Sequence, residues 1–179
     1  MLLAALLASP GAAAGKNRRQ QRVRPAPVVS RAAVDLEAAT ALGRAHQAYR
    51  SGDFDTAFAL ATKLPRSRLL ARDYAVWLAA EAASLSGRPR VALPLFRELA
   101  NSKSGRFQTL APGKIADCLW ALGRIDEARK AYERLLAART YTGDRAVALD
   151  RVAEAHAKAG RPGRAIAAWR TLAVEEPLH

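Results

Sequence analysis

From Val34 onward, apolar residues return every three or four positions, and nowhere does period-two alternation last long enough to make a strand. The pattern is interrupted at Gly52, Gly87, Gly123 and Gly160, spaced 35, 36 and 37 residues apart. Glycine takes the left-handed conformation that ends a helix at little steric cost, so each of the four is expected to close one helix just before the next begins. The sequence therefore predicts an all-α chain of about four antiparallel helix pairs: 34–50 with 53–64, 68–86 with 89–101, 110–122 with 125–138, and 144–159 with 162–175. Pro89 and Pro162 fall in the first turn of a second helix, where a missing N–H costs nothing. Asp53 and Asp126 lie at helix starts, where a carboxylate can cap free amides. Pro94 breaks the scheme and predicts a kink or a later helix start.

A period near 35 residues marks a stack of repeats, in which each unit buries its apolar face only against its neighbours. Small residues recur before each turn glycine at Ala45, Ala80, Ala116 and Ala153, and after it at Ala57, Ala92, Ala128 and Ala165. Four residues beyond the second set stand Ala61, Phe96, Tyr132 and Trp169, followed by Leu64, Leu99, Leu135 and Leu172. Over residues 38–179 this pattern resembles the tetratricopeptide repeat, departing from it at Ala61, at Pro112 and in slightly long repeats. That resemblance implies a right-handed superhelical solenoid that binds protein or peptide partners without doing chemistry.

Two shorter segments carry a narrower resemblance. The run from Leu70 through Asp73, Tyr74 and Trp77 to Ala79 is similar to a helix in the superhelical region of soluble lytic murein transglycosylases, and so is the run from Trp169 to Leu178. In that family the catalytic glutamate sits in a separate lysozyme-like domain, which nothing here matches. The alternative it implies is a non-catalytic superhelical portion of such an enzyme.

In a solenoid of this kind the first helix of each pair lines the concave binding face. Spacing of three, four and seven residues opposite the alanine seam places His46 and Tyr49 there from the first pair, and Tyr74, Trp77 and Glu81 from the second. The third pair gives Asp117 and Trp120, and the fourth Asp150, Glu154 and Lys158. The expected groove is acidic and aromatic, suited to a basic peptide or to sugar hydroxyls, with the two tryptophans as platforms.

Charge then changes the picture less than its size suggests. The net charge is +13, yet six cations fall before residue 35 with no acid among them. Phosphate would meet acids in the predicted groove, which argues against nucleic acid as partner. Residues 1–14 read as a signal peptide, with an apolar run from Leu2 to Ala8, Pro10 and small residues at Ala12 to Ala14, but without a basic residue ahead of the run. The run is too short to span a bilayer, which takes about 20 residues. Residues 15–33 read as a basic linker, and 34–179 as the repeat domain. These features predict a periplasmic or secreted protein, associated with a protein partner or peptidoglycan and able to self-associate through its last repeat. A cytoplasmic basic adaptor is the reading if residues 1–14 are retained.

Candidate chemistry is sparse. His46, His156 and His179 lack metal-ligand spacing. Gly113-Lys114 has Gln108 where a phosphate-binding loop needs glycine, and Ile115 where it needs Ser or Thr. Cys118, the single cysteine, sits in a helical window and reads as a small buried hydrophobe. No cofactor, metal or catalytic residue is expected.

Overall fold

The structure is a computed structural model that describes residues 31–64, 71–103, 105–138, 141 and 143–175, with side chains from residue 36. The signal peptide and most of the linker expected from the sequence lie outside these residues. Among the described residues eight helices follow in order: α1 (Arg31–Arg50), α2 (Phe54–Thr62), α3 (Arg72–Leu85), α4 (Pro89–Ala100), α5 (Gly105–Ala121), α6 (Ile125–Ala137), α7 (Arg145–Lys158) and α8 (Pro162–Glu175). Each packs on the next, making a helical-repeat solenoid. Contacts also join α1 to α3 and α3 to α5, whereas α2 and α4 do not meet, so the first helices lie on the inner side of the stack.

Four identical turns set the geometry. Gly52, Gly87, Gly123 and Gly160 all adopt φ between +67° and +82°. At Gly123 the amide bonds the Trp120 carbonyl at 2.9 Å, and the following Arg124 amide reaches back to Leu119 at 3.0 Å. The same pair of bonds recurs at the other three glycines, so the orphan carbonyls of every first helix are satisfied by the chain reversal itself.

Helix starts differ more. Asp53 caps α2 by accepting from the Thr56 amide at 3.0 Å. Asp126 does not cap α6; it lies one residue inside, and Arg124 occupies the cap position without a side-chain bond. Instead the Arg124 guanidinium grips both oxygens of Glu127 at 2.7 Å. Asp144 supplies a cap that the sequence reading passed over, accepting from the Val147 amide at 3.0 Å.

Two helices run further than proline content suggests. α4 starts at Pro89, as the expected range 89–101 has it, and continues through Pro94 without the later start given as the alternative to a kink, while α5 begins at Gly105 rather than 110 and contains Pro112. The carbonyls these rings leave unbonded belong to Arg90 and Gln108, both exposed, so water can satisfy them. At the other end of the chain, α1 begins at Arg31, inside the segment expected as linker.

The alanine seams are fully closed: Ala45, Ala80, Ala116, Ala153, Ala57, Ala92, Ala128 and Ala165 are each at most 1 % exposed. Close approach there lets Phe96, Leu99 and Tyr132 fill the space between pairs, in one core running from α3 to α7. Burying each such side chain contributes roughly 1.5–3 kcal/mol. Where Ala61 lacks the aromatic ring of the other repeats, Phe58 packs into the same neighbourhood, with Arg88 stacked 4.5 Å from its ring centre.

Candidate functional site

The inner face is knitted together by side chains that pass from one first helix to the next. His46 Nδ1 of α1 bonds the Tyr74 hydroxyl of α3, and the Tyr74 ring approaches Phe107 of α5 at 6.5 Å. Trp77 stacks on Phe107 at 5.4 Å and meets Phe96 edge-on at 5.5 Å, so it is half-buried rather than a free platform. Glu81 is 7 % exposed and pairs with Lys114 Nζ of α5 at 3.0 Å. Burial, and then the nearby Glu81 carboxylate, raise the pKa of Tyr49 of α1.

Between α5 and α7 the pattern changes. Their backbones do not touch, and the gap is bridged by side chains: Arg151 donates to Asp117 at 2.6 Å and also bonds the Tyr132 hydroxyl. Tyr132 in turn donates to Asp117 at 2.7 Å, and burial followed by this carboxylate pushes its pKa far upward, so the phenol stays protonated. Burial works against the Arg151 charge, but its bonds to Tyr132 and Asp117 hold its pKa above the usual value.

Tyr141, on the connection from α6 to α7, closes one side of this gap. Its ring lies 3.7 Å from where a methyl on Gly113 would stand, and a methyl on Gly143 would come within 2.5 Å of its hydroxyl oxygen. Gly143 is therefore part of how the ring is seated, whereas a methyl on Gly113 would make only an ordinary contact. The space left is a cavity of about 410 Å³ whose lining includes Trp77, Leu110, Lys114, Tyr141, Val147 and Arg151. Lys114 is engaged by Glu81 and Arg151 by Asp117, so these charges are largely compensated.

The residues picked from the sequence are distributed as follows. His46, Tyr49, Tyr74, Trp77, Glu81 and Asp117 lie on the interlocked inner face. Trp120 has two cations of α7 over its ring, Arg151 5.7 Å and Lys158 5.4 Å from its centre. Glu154 pairs with Lys158 of its own helix at 2.7 Å. Asp150 points elsewhere, accepting from the Trp169 indole of α8 at 3.0 Å. Glu81 and Asp117 are thus matched by Lys114 and Arg151, which the sequence reading did not place here, and Glu154 by Lys158, which it did, so these acids face cations rather than open solvent. Phe107, Lys114, Tyr132, Tyr141 and Arg151 are the additions. Lys114 was legible, because it lies three residues before Asp117 on one helix face. Arg151 stands one position from the stripe drawn through Asp150.

Among the described residues, no group of three or more His, Cys, Asp or Glu is placed to hold a metal ion, and no helix is long and apolar enough to cross a membrane. The family model of the tetratricopeptide repeat matches residues 114–138, the stretch from Lys114 through the Gly123 turn to the end of α6. The all-helical stack around this match is a helical-repeat solenoid, and the stretch 114–138 within it is similar to the tetratricopeptide repeat. The match includes neither segment that resembles the transglycosylases. No curated protein sequence matches this chain.

Proposed function

We propose that this chain is a non-catalytic scaffold that binds an extended segment of a partner protein along the face shared by α1, α3, α5 and α7. The observation that carries the reading is the α5–α7 cavity. Its Lys114, Asp117 and Arg151 already have partners, and Leu110, Val147 and the rings of Tyr141 and Trp77 give it apolar surface beside them. Such a pocket suits one aliphatic or aromatic anchor side chain, with the paired charges around it excluding water. Selection of a displayed peptide library on the intact protein tests this. Enriched peptides should share one large apolar residue, and Val147→Trp, which fills the cavity, should abolish their binding with little change in melting temperature. Enrichment that ignores Val147→Trp would sink the reading.

The envelope location rests on residues 1–14. Amino-terminal sequencing of the exported fraction should start after Ala14, and intact Met1 in the cytoplasm would refute it. Association with peptidoglycan and the transglycosylase alternative rest on Leu70–Ala79 and Trp169–Leu178 alone; a lysozyme-like domain encoded in frame after His179 is the finding that would support them.

A further inference from the structure

The repeats allow each position of the fourth pair to be compared with its counterparts in the pairs before it. One residue beyond the second-helix seam stand Leu93, Arg129 and Ile166, and four beyond it Phe96, Tyr132 and Trp169. Leu93, Phe96 and Tyr132 are at most 5 % exposed, because the next first helix covers them. Ile166 is 48 % and Trp169 41 % exposed, since among the described residues α8 packs on α7 alone.

A second regularity runs along the first helices. Glu81 of α3 pairs with Lys114 of α5, and Asp117 of α5 pairs with Arg151 of α7. In both, an acid one residue past the seam alanine meets a cation two residues before the next one. Glu154 is the next acid in this ladder. Among the described residues its one ion pair is with Lys158 on its own helix, and both side chains are about half exposed.

The opposite end of the stack is built differently. Where α3 buries Ala75, Ala79 and Ala82 against the preceding pair, α1 exposes Thr40, Arg44 and Gln47. Copies stacking head to tail would therefore set Ile166 and Trp169 against a polar face.

We propose that Glu154, Ile166 and Trp169 form a docking site for one amphipathic helix of another protein, seated as α5 sits on α4 and α7 on α6. The helix that fits has an apolar stripe of small residues and one Lys or Arg placed to reach Glu154. This site is separate from the α5–α7 cavity, and either can fail without the other.

A fluorescent, helix-stabilised peptide of residues 144–158 is the probe, because it carries the stripe and Arg151 in the required register. Fluorescence anisotropy with the intact protein should show saturable binding. Trp169→Ala should weaken it at least about tenfold, and Glu154→Lys about threefold. A peptide carrying Arg151→Glu should bind the Glu154→Lys protein better than the wild type. Both protein positions are exposed, and melting curves will verify that the variants remain folded. Three results overturn the proposal: no binding at about 1 mM peptide, binding indifferent to Trp169→Ala, or a charge swap without recovery. A concentration-dependent dimer that Trp169→Ala dissolves would also overturn it, assigning the face to a second copy.

Discussion

Arg151 of α7 and Asp117 of α5 meet at 2.6 Å across a gap that no backbone contact closes. The pair is half-exposed, so screening limits its worth, and the Tyr132 hydroxyl shares it. Arg151→Met should cost about 1 kcal/mol in urea unfolding. A double-mutant cycle with Asp117→Asn should give a coupling of about 0.5–1 kcal/mol that shrinks in 1 M salt. Zero coupling would mean that packing alone holds the fourth pair.

Gly123 and Gly43 both have open space where a Cβ would go, but only Gly123 has positive φ, at +72°. Substitution by alanine should then act through the backbone alone. Gly123→Ala should destabilise by about 1 kcal/mol or more, and Gly43→Ala, inside α1, should stabilise by about 0.5–1 kcal/mol. Thermal melts that moved in the same direction would contradict this.

His156 is 5 % exposed, accepts at Nδ1 from Arg161 at 3.0 Å and lies 3.2 Å from Glu133 through Nε2. Burial first, then the Arg161 and Arg129 charges, lower its pKa, although Glu133 opposes them. Protons therefore bind the unfolded chain more readily than the folded one, and this group's stability contribution is complete above pH of about 6.5 and falls as the solution is acidified. The melting temperature should drop between pH 7.5 and 5.5, and His156→Gln should flatten that slope. An unchanged slope would place the effect in another group.

Cys118 is 2 % exposed, and burial raises its pKa to about 11. At pH 8 the native protein should resist a thiol reagent, while denatured protein reacts fully within minutes. Rapid native labelling would reveal opening of the α5–α6 pair.

Much of this architecture could be read from spacing, because turn glycines and seam alanines answer to constraints inside one repeat. Gly123 needs only its own backbone, and Ala128 only the helix beside it. Contacts between repeats were harder to read. Lys114 resembles part of a failed nucleotide motif until Glu81 of the preceding pair is set beside it. Arg151 differs by one position from Asp150, and a hundred-degree rotation around α7 decides which of them meets Asp117. The early start of α5 was hidden by Pro112 and Gly113, since solvent access to the freed carbonyl has no local signature.

The Tyr141 connection leaves α7 leaning on α5 through side chains, and α6 against α7 is the thinnest of the consecutive helix packings. Mechanically, the solenoid is three stiff turns with one compliant joint. Under tension, or in amide exchange, α7 and α8 should yield together before the rest, as a latch held by Arg151.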